Sequence, residues 1–279
     1  MSIASPRPRA RPPLSAAFGL LVVAAAAFLL VFGPWLAPHG LEETVGTPFA
    51  PPSAEHWFGL DQNGRDMLTR LLHGARMSIG VSLSAVTISF CIGVPLGFLA
   101  ALRGGLPDLI GSRLVDVVMS IPVLISALVV LQALGSSLPV LIGTIALLDS
   151  TRVFRLSRVV AQGIVVMEYA EVARLRGENI LWMLSREILP NALPPLLAEF
   201  GMRFCFTFLF VAGLSYLGLG VQPPFADWGG MVRENQQGIL YGLYAPLFPA
   251  GAIALVTIGV NLVVDWALAG RTAIQGDNR

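Results

Sequence analysis

Lysine is absent from all 279 residues; each of the 18 basic side chains is arginine. A phosphate-cradling P-loop ends in Gly-Lys-Ser/Thr and Schiff-base catalysis needs an amine, so the chain lacks both devices. If ATP drives its work, another polypeptide binds the nucleotide. Cysteine is almost as scarce. Cys91 and Cys205 both fall inside apolar runs, at no metal-ligand spacing, and read as packing residues. The three histidines, His39, His56 and His73, lie in one segment without an HExxH pair, which argues against a zinc protease. GLSYLG at 213–218 lacks the spacing of a nucleophile elbow, and no histidine falls in an apolar run to serve as its base. No catalytic residue is expected.

What is abundant is apolar length. Hydrophobic residues make up 55% and charged residues only 13%, with a mean hydropathy of +0.73. This is the composition of an all-α polytopic membrane protein; the apolar runs are too long and unbroken for the alternating strands of a barrel. Six runs are long enough to cross a bilayer: 14–36, 78–102, 114–134, 138–160, 195–219 and 246–268. Pro95 inside the second is tolerable, because neighbouring helices can satisfy the freed carbonyl. The first run is longer than the apolar region of a cleaved signal peptide, which favours a retained helix. Between the first two runs, Met67, Leu68, Leu71 and Leu72 oppose Arg65, Asp66, Arg70 and His73, predicting a short helix on the outer surface. The organisation expected is 1–76 (tail, first helix, outer segment), 77–272 (a membrane core with a cytoplasmic loop at 161–194) and 273–279 (a tail).

Arginine placement gives the orientation. With six crossings, one side holds Arg7, Arg9, Arg11, Arg103, Arg113, Arg155, Arg158, Arg174, Arg176, Arg186, Arg271 and Arg279. The other holds Arg65, Arg70, Arg76 and Arg233, and Arg152 and Arg203 sit near the cytoplasmic ends of spans. Positive-inside bias then places both termini in the cytoplasm. The two halves show no internal repeat, which weakens a secondary transporter built on inverted repeats.

The one long polar stretch, 168–194, reads as two short helices broken at Gly177. Ala170 and Ala173 are small residues set among Glu168, Glu171, Arg174 and Arg176, so another backbone can approach closely between charges. Leu181, Leu184 and Ile188 recur at helical spacing as one apolar stripe, and Pro190 is expected to stop the second helix. On composition alone this is an amphipathic pair resting on lipid headgroups.

The spacing resembles something more specific. Glu171-Val172-Ala173, three residues, Gly177, ten residues, then Ile188-Leu189-Pro190-Asn191 looks like the EAA loop of the membrane subunits of bacterial binding-protein-dependent ABC importers. ILPNALPPLL at 188–197 is similar to the dipeptide/oligopeptide/nickel branch. HWFGLDQNGRD at 56–66, RLVD at 113–116 through Ile121-Pro122, SYLGLGVQPPFADWGGM at 215–231, and the Asn261/Asp265 pair match that branch too. Three features depart from it: Val172 replaces the motif's second alanine, Asp149-Ser150-Thr151 stands where Ser-Trp-Pro is usual, and the tail after Asp265 differs.

The resemblance implies the six-helix fold of a type I ABC importer permease, without catalysis or a cofactor of its own. It would form half of a pathway for short peptides, or else for nickel or another small solute. It also implies partners: a second homologous permease, cytoplasmic ATPases holding ATP and magnesium, an extracytoplasmic substrate-binding protein, and the lipid of the bacterial inner membrane, with no nucleic acid. Glu171, Ala173 and Gly177, with Ile188 and Pro190, would form the coupling loop seated in an ATPase, and Trp228 and Gly229 would dock the binding protein.

Charges inside apolar runs carry further information, since each costs about 2.5–3.5 kcal/mol at a helix centre. Asp116, Asp149, Glu199, Arg203 and Asp265 are such residues. Glu199 and Arg203 stand four apart, the spacing of an intrahelical pair, at positions where the family is uncharged. They either neutralise one another or line the inner half of the pathway; Asp149 and Asp116 are further pathway candidates, with capping or interhelical hydrogen bonding the alternative for Asp116 and Asp265. The competing class is an ion-coupled transporter using Asp116, Asp149 or Asp265.

Overall fold

The computed structural model describes residues 13–276. Arg7, Arg9, Arg11 and Arg279, used in the orientation argument, lie outside them. Among the described residues there is no strand, only the isolated bridges Thr44–Arg65 and Leu60–Asp66. The helices are α1 (Leu14–Leu36), α2 (Met67–Arg103), α3 (Gly105–Met119), α4 (Val123–Leu134), α5 (Leu138–Val165) and α6 (Glu168–Leu175). Then follow α7 (Ile180–Trp182), a π turn (Met183–Ile188), α8 (Leu189–Tyr216), α9 (Trp228–Asn235) and α10 (Leu247–Gly276).

Among the described residues, four helical stretches are long and apolar enough to cross a membrane: α1, α2, Ile180–Tyr216 and Leu247–Ala269. The pair α3 and α4, bent by 82°, makes a fifth. The expected sixth is α5. At ~1.5 Å per residue its 28 residues exceed the ~30 Å hydrocarbon core, but Asp149, Arg152, Arg155 and Arg158 lower its apolarity.

Three boundary expectations fail, each for a local reason. The helix beginning at Met67 is not a separate surface element but the first turns of α2, because its polar face is buried: Arg70 is 3% exposed. The run 114–134 is two helices, broken where Pro122 denies a donor and Ser120 bonds back to Asp116 and Val117. Pro190 does not stop the second loop helix. The preceding π turn, in which the Leu189 amide bonds to the Leu184 carbonyl, widens the helix enough to admit the ring. The side chain of Asn191 adds a donor to the Glu187 carbonyl at 2.6 Å, and the helix runs on.

The most extensive helix pairing is that of α2 with α5. A Cβ on Gly93 would lie 2.7 Å from the Ser150 carbonyl oxygen, and one on Gly97 would lie 2.6 Å from that of Phe154. This Gly-x-x-x-Gly stripe brings two backbones together where lipid supplies no hydrophobic drive between helices. The end of α2 near the 166–188 loop packs Phe98 with Ala161, Ile188, Ala192 and Leu196. Its opposite end, at Met67, packs with Phe208, Trp228 and Met231. The polar loop and the α9 segment therefore sit at opposite ends of one 37-residue helix.

Candidate functional site

The loop 166–188 forms a bent knuckle. Helix α6 closes in a Schellman turn: the Gly177 amide bonds to the Arg174 carbonyl at 3.0 Å and the Glu178 amide to that of Ala173 at 3.3 Å. Gly177 sits at φ +75°, and a Cβ there would meet nothing within 4 Å. Asn179 then caps the next helix, accepting from the Trp182 amide at 2.8 Å. Ala170 and Ala173 turn inward, 1% and 3% exposed. Glu171, Val172 and Leu175 face outward, Leu175 at 81%.

Two expectations are corrected here. Ala173 presents its methyl group to the chain itself rather than outward, which lets α6 lie close. Ile188 is fully buried whereas Leu181 is 76% exposed, so the two do not share a stripe; the π turn rotates later positions away from 3.6-residue spacing. Pro190 is exposed. Val172, the departure from the motif, has an open environment that accepts its larger side chain.

The intramembrane charges converge. Arg203 Nε lies 2.5 Å from Glu199 Oε1, and Arg203 Nη1 lies 3.6 Å from Asp149 Oδ1. Arg152 Nη1 approaches the same Asp149 oxygen at 3.6 Å. Asp149, Arg152 and Arg203 line a cavity of about 360 Å³ together with Phe206, Thr207 and Phe210. Asp149 Oδ2 is buried with no hydrogen-bond partner, leaving an acceptor unused at the cavity. Two carboxylates and two guanidiniums thus form one network across α5 and α8. Arg152, assigned from sequence only to the end of a span, is the member that sequence reasoning missed. Asp116 stands apart, pairing with Arg155 at 3.5 Å in a half-exposed position, and Asp265 is exposed.

At the other end of α2, Asp61 is fully buried and accepts from Arg65 Nε at 2.8 Å and Arg70 Nη1 at 2.6 Å. Glu234 on α9 accepts from the same two arginines at 3.2 and 2.6 Å, and the Gln62 amide donates to Asn235 Oδ1 at 3.0 Å. The GLDQNGRD stretch is therefore a brace between the 37–66 segment, α2 and α9. Trp228 is 2% exposed; its indole donates to the Leu71 carbonyl and its amide to Ser78 Oγ. Gly229 is likewise buried, against the backbone of Ala212. Neither presents a surface in the isolated chain, which corrects their expected role as docking contacts. Exposed apolar side chains between α8 and α10 include Phe225, Ile239, Leu240 and Tyr244.

Asp227 caps α9, accepting from the Gly229 and Gly230 amides at 3.1 and 3.3 Å. Burial pushes its carboxyl up to about 6, against the opposing pull of the Ser215 hydroxyl and those amides. In the unfolded chain it titrates near 3.9. Stability is then fullest below about pH 4 and falls as pH rises through about 6, by on the order of 3 kcal/mol. Asp227→Asn keeps the cap and is expected to flatten this dependence, measured as melting temperature in detergent between pH 4 and 7; an unchanged slope would disprove it.

The helices, the knuckle and the buried charge network define a polytopic membrane subunit of a transport system. Residues 93–269 match the family described as binding-protein-dependent transport system inner membrane component, and the chain belongs to it. It is 37% identical over 240 residues to the probable D,D-dipeptide transport system permease protein DdpC of Escherichia coli K12, covering 85% of this chain and 80% of that one. It is 33% identical over 248 residues to the dipeptide transport system permease protein DppC of Alkalihalophilus pseudofirmus, covering 88% and 82%. The di/tripeptide permease DppC of Pseudomonas aeruginosa is 33% identical over 254 residues, covering 88% and 84%. A crystal structure of an amino acid ABC transporter with histidines shares the fold, with a TM-score of 0.51 at 21% identity over 73% of this chain and 94% of that one. The chain is a multi-pass inner-membrane permease of an ABC importer.

Proposed function

We propose that the chain is a non-catalytic permease subunit of an ATP-driven importer of short peptides. It forms half of the translocation pathway in the lipid bilayer with a second homologous permease. ATP and magnesium are held by cytoplasmic ATPase subunits, and cargo arrives on an extracytoplasmic binding protein. The observation that carries this reading is the knuckle: an exposed, capped and bent helix pair on a lysine-free chain that has no nucleotide site of the P-loop type. In the complex, Glu171, Val172, Leu175 and the exposed Pro190 would meet the ATPase, Gly177 would set the bend, and Ala173 and Ile188 would hold the lever to the membrane core. Arginine placement supports a cytoplasmic position for this loop and both termini in this reading.

Asp149, Glu199 and Arg203, with Arg152, line the pathway and bear on substrate release in this reading. A site carrying both signs of charge suits a peptide, which carries an ammonium and a carboxylate. Trp228 and Gly229 then support the surface for the binding protein from beneath. Relatives named for dipeptides and di/tripeptides favour this cargo over nickel or another small solute.

Reconstitution separates this from an ion-coupled carrier. The chain alone in vesicles should take up no peptide under a proton or sodium gradient. With its partner permease, ATPases and binding protein, uptake should require ATP. Gradient-driven uptake by the chain alone would overturn the proposal.

A further inference from the structure

Three side chains from separate stretches meet at the start of α2, the end remote from the knuckle. His39 follows α1, His56 lies in the connecting loop, and Asp66 caps α2. One ligand atom from each lies within 4.8 Å of the other two. His56 Nδ1 is 3.0 Å from Asp66 Oδ1, and the two imidazole centroids are 5.3 Å apart.

These groups are held in place. The Thr69 amide donates to Asp66 Oδ2 at 2.8 Å, the His39 amide donates to Thr69 Oγ1 at 3.3 Å, and the His56 amide donates to Ser53 Oγ at 3.0 Å. The Asp66 side chain is 1% exposed and that of His56 15%, so a buried carboxylate lies beneath imidazoles that solvent reaches.

We propose that His39, His56 and Asp66 form a binding site for a divalent transition ion of the zinc type. Two imidazole nitrogens and one carboxylate oxygen are the donor set of an open zinc site, whereas calcium and magnesium take oxygen alone. Bonds of ~2.1 Å in a tetrahedron put donors ~3.4 Å apart. The His56–Asp66 pair already stands near that spacing, His39 has on the order of 1 Å to close, and water takes the fourth position. Ligation needs neutral imidazoles and an ionised carboxylate, so binding strengthens as pH rises. Its effect is to tie the end of α1 to the start of α2 across the intervening loop. The site is independent of the cargo reading and remote from the charged cavity.

The test is titration of the purified full chain in detergent with Co²⁺, followed by competition with Zn²⁺. One Co²⁺ per chain is expected, with the intense visible absorption of tetrahedral cobalt, and Zn²⁺ should raise the melting temperature. His39→Gln, and Asp66→Asn, which retains the helix cap, should each weaken binding by about tenfold or more and abolish the thermal shift. His73→Gln should bind as the wild type does. Absence of tetrahedral cobalt, or equal affinity in wild type and His39→Gln, would refute the site.

Discussion

Gly177→Pro is expected to abolish ATP-dependent uptake and to strip the ATPase from the complex, while the chain still inserts in the membrane. The native residue sits at φ +75°, and proline is fixed near −65°, so the substitution cannot be absorbed locally. It also removes the amide that bonds to the Arg174 carbonyl, opening the Schellman turn that closes α6. Since no atom lies within 4 Å of a Cβ at this position, the damage comes from backbone geometry and not from a clash. Gly177→Ala, which any steric account would call neutral, should then cost about 1–2 kcal/mol locally and give partial uptake. Glu171→Arg probes the exposed face without touching the bend and should likewise weaken ATPase association, by replacing an acceptor of charge-assisted hydrogen bonds with a donor. Co-purification of the ATPase and peptide uptake in vesicles are the measurements. Normal values for both Gly177→Pro and Glu171→Arg would remove the role assigned to the knuckle.

The membrane spans were legible in sequence because the bilayer demands apolar length, and α1 begins and ends where the run does. Legibility failed where partners distant in sequence decide the outcome. The polar face at the start of α2 looks like one turned to water, yet Arg70 is buried against Asp61 and Glu234, the latter 164 residues away. Nothing in the local spacing of Met67 to His73 encodes that. The π turn before Pro190 is a local failure of a different kind: a residue-type rule stops the helix, and a change of hydrogen-bond register rescues it. The charge network combines both cases. Asp149, Glu199 and Arg203 each stood out as costly in lipid, but only the packing of α5 on α8 makes them one site and recruits Arg152.

That network sets up the second large effect, on single against paired neutralisation. Arg203→Gln leaves Asp149 and Glu199, 5% and 8% exposed, with only Arg152 to balance them. Breaking a buried pair from one side costs about 3–5 kcal/mol, whereas replacing both members is often close to neutral. Arg203→Gln alone should therefore sharply lower the amount of folded chain recovered from membranes, and Glu199→Gln/Arg203→Gln should restore much of it. If these residues only neutralised each other, the double variant would also transport normally. If they line the pathway, uptake stays impaired at wild-type abundance, because the cavity has lost one of its two guanidiniums and Asp149 has lost the ion pair across α5 and α8. Asp149→Asn supplies the complementary measurement: it removes the carboxylate whose Oδ2 has no partner, so a loss of uptake without loss of abundance places that oxygen in contact with the passing substrate. Uptake per folded complex, normalised to binding-protein affinity measured separately, decides between the two roles, and normal transport by the Glu199→Gln/Arg203→Gln chain would rule out the pathway assignment.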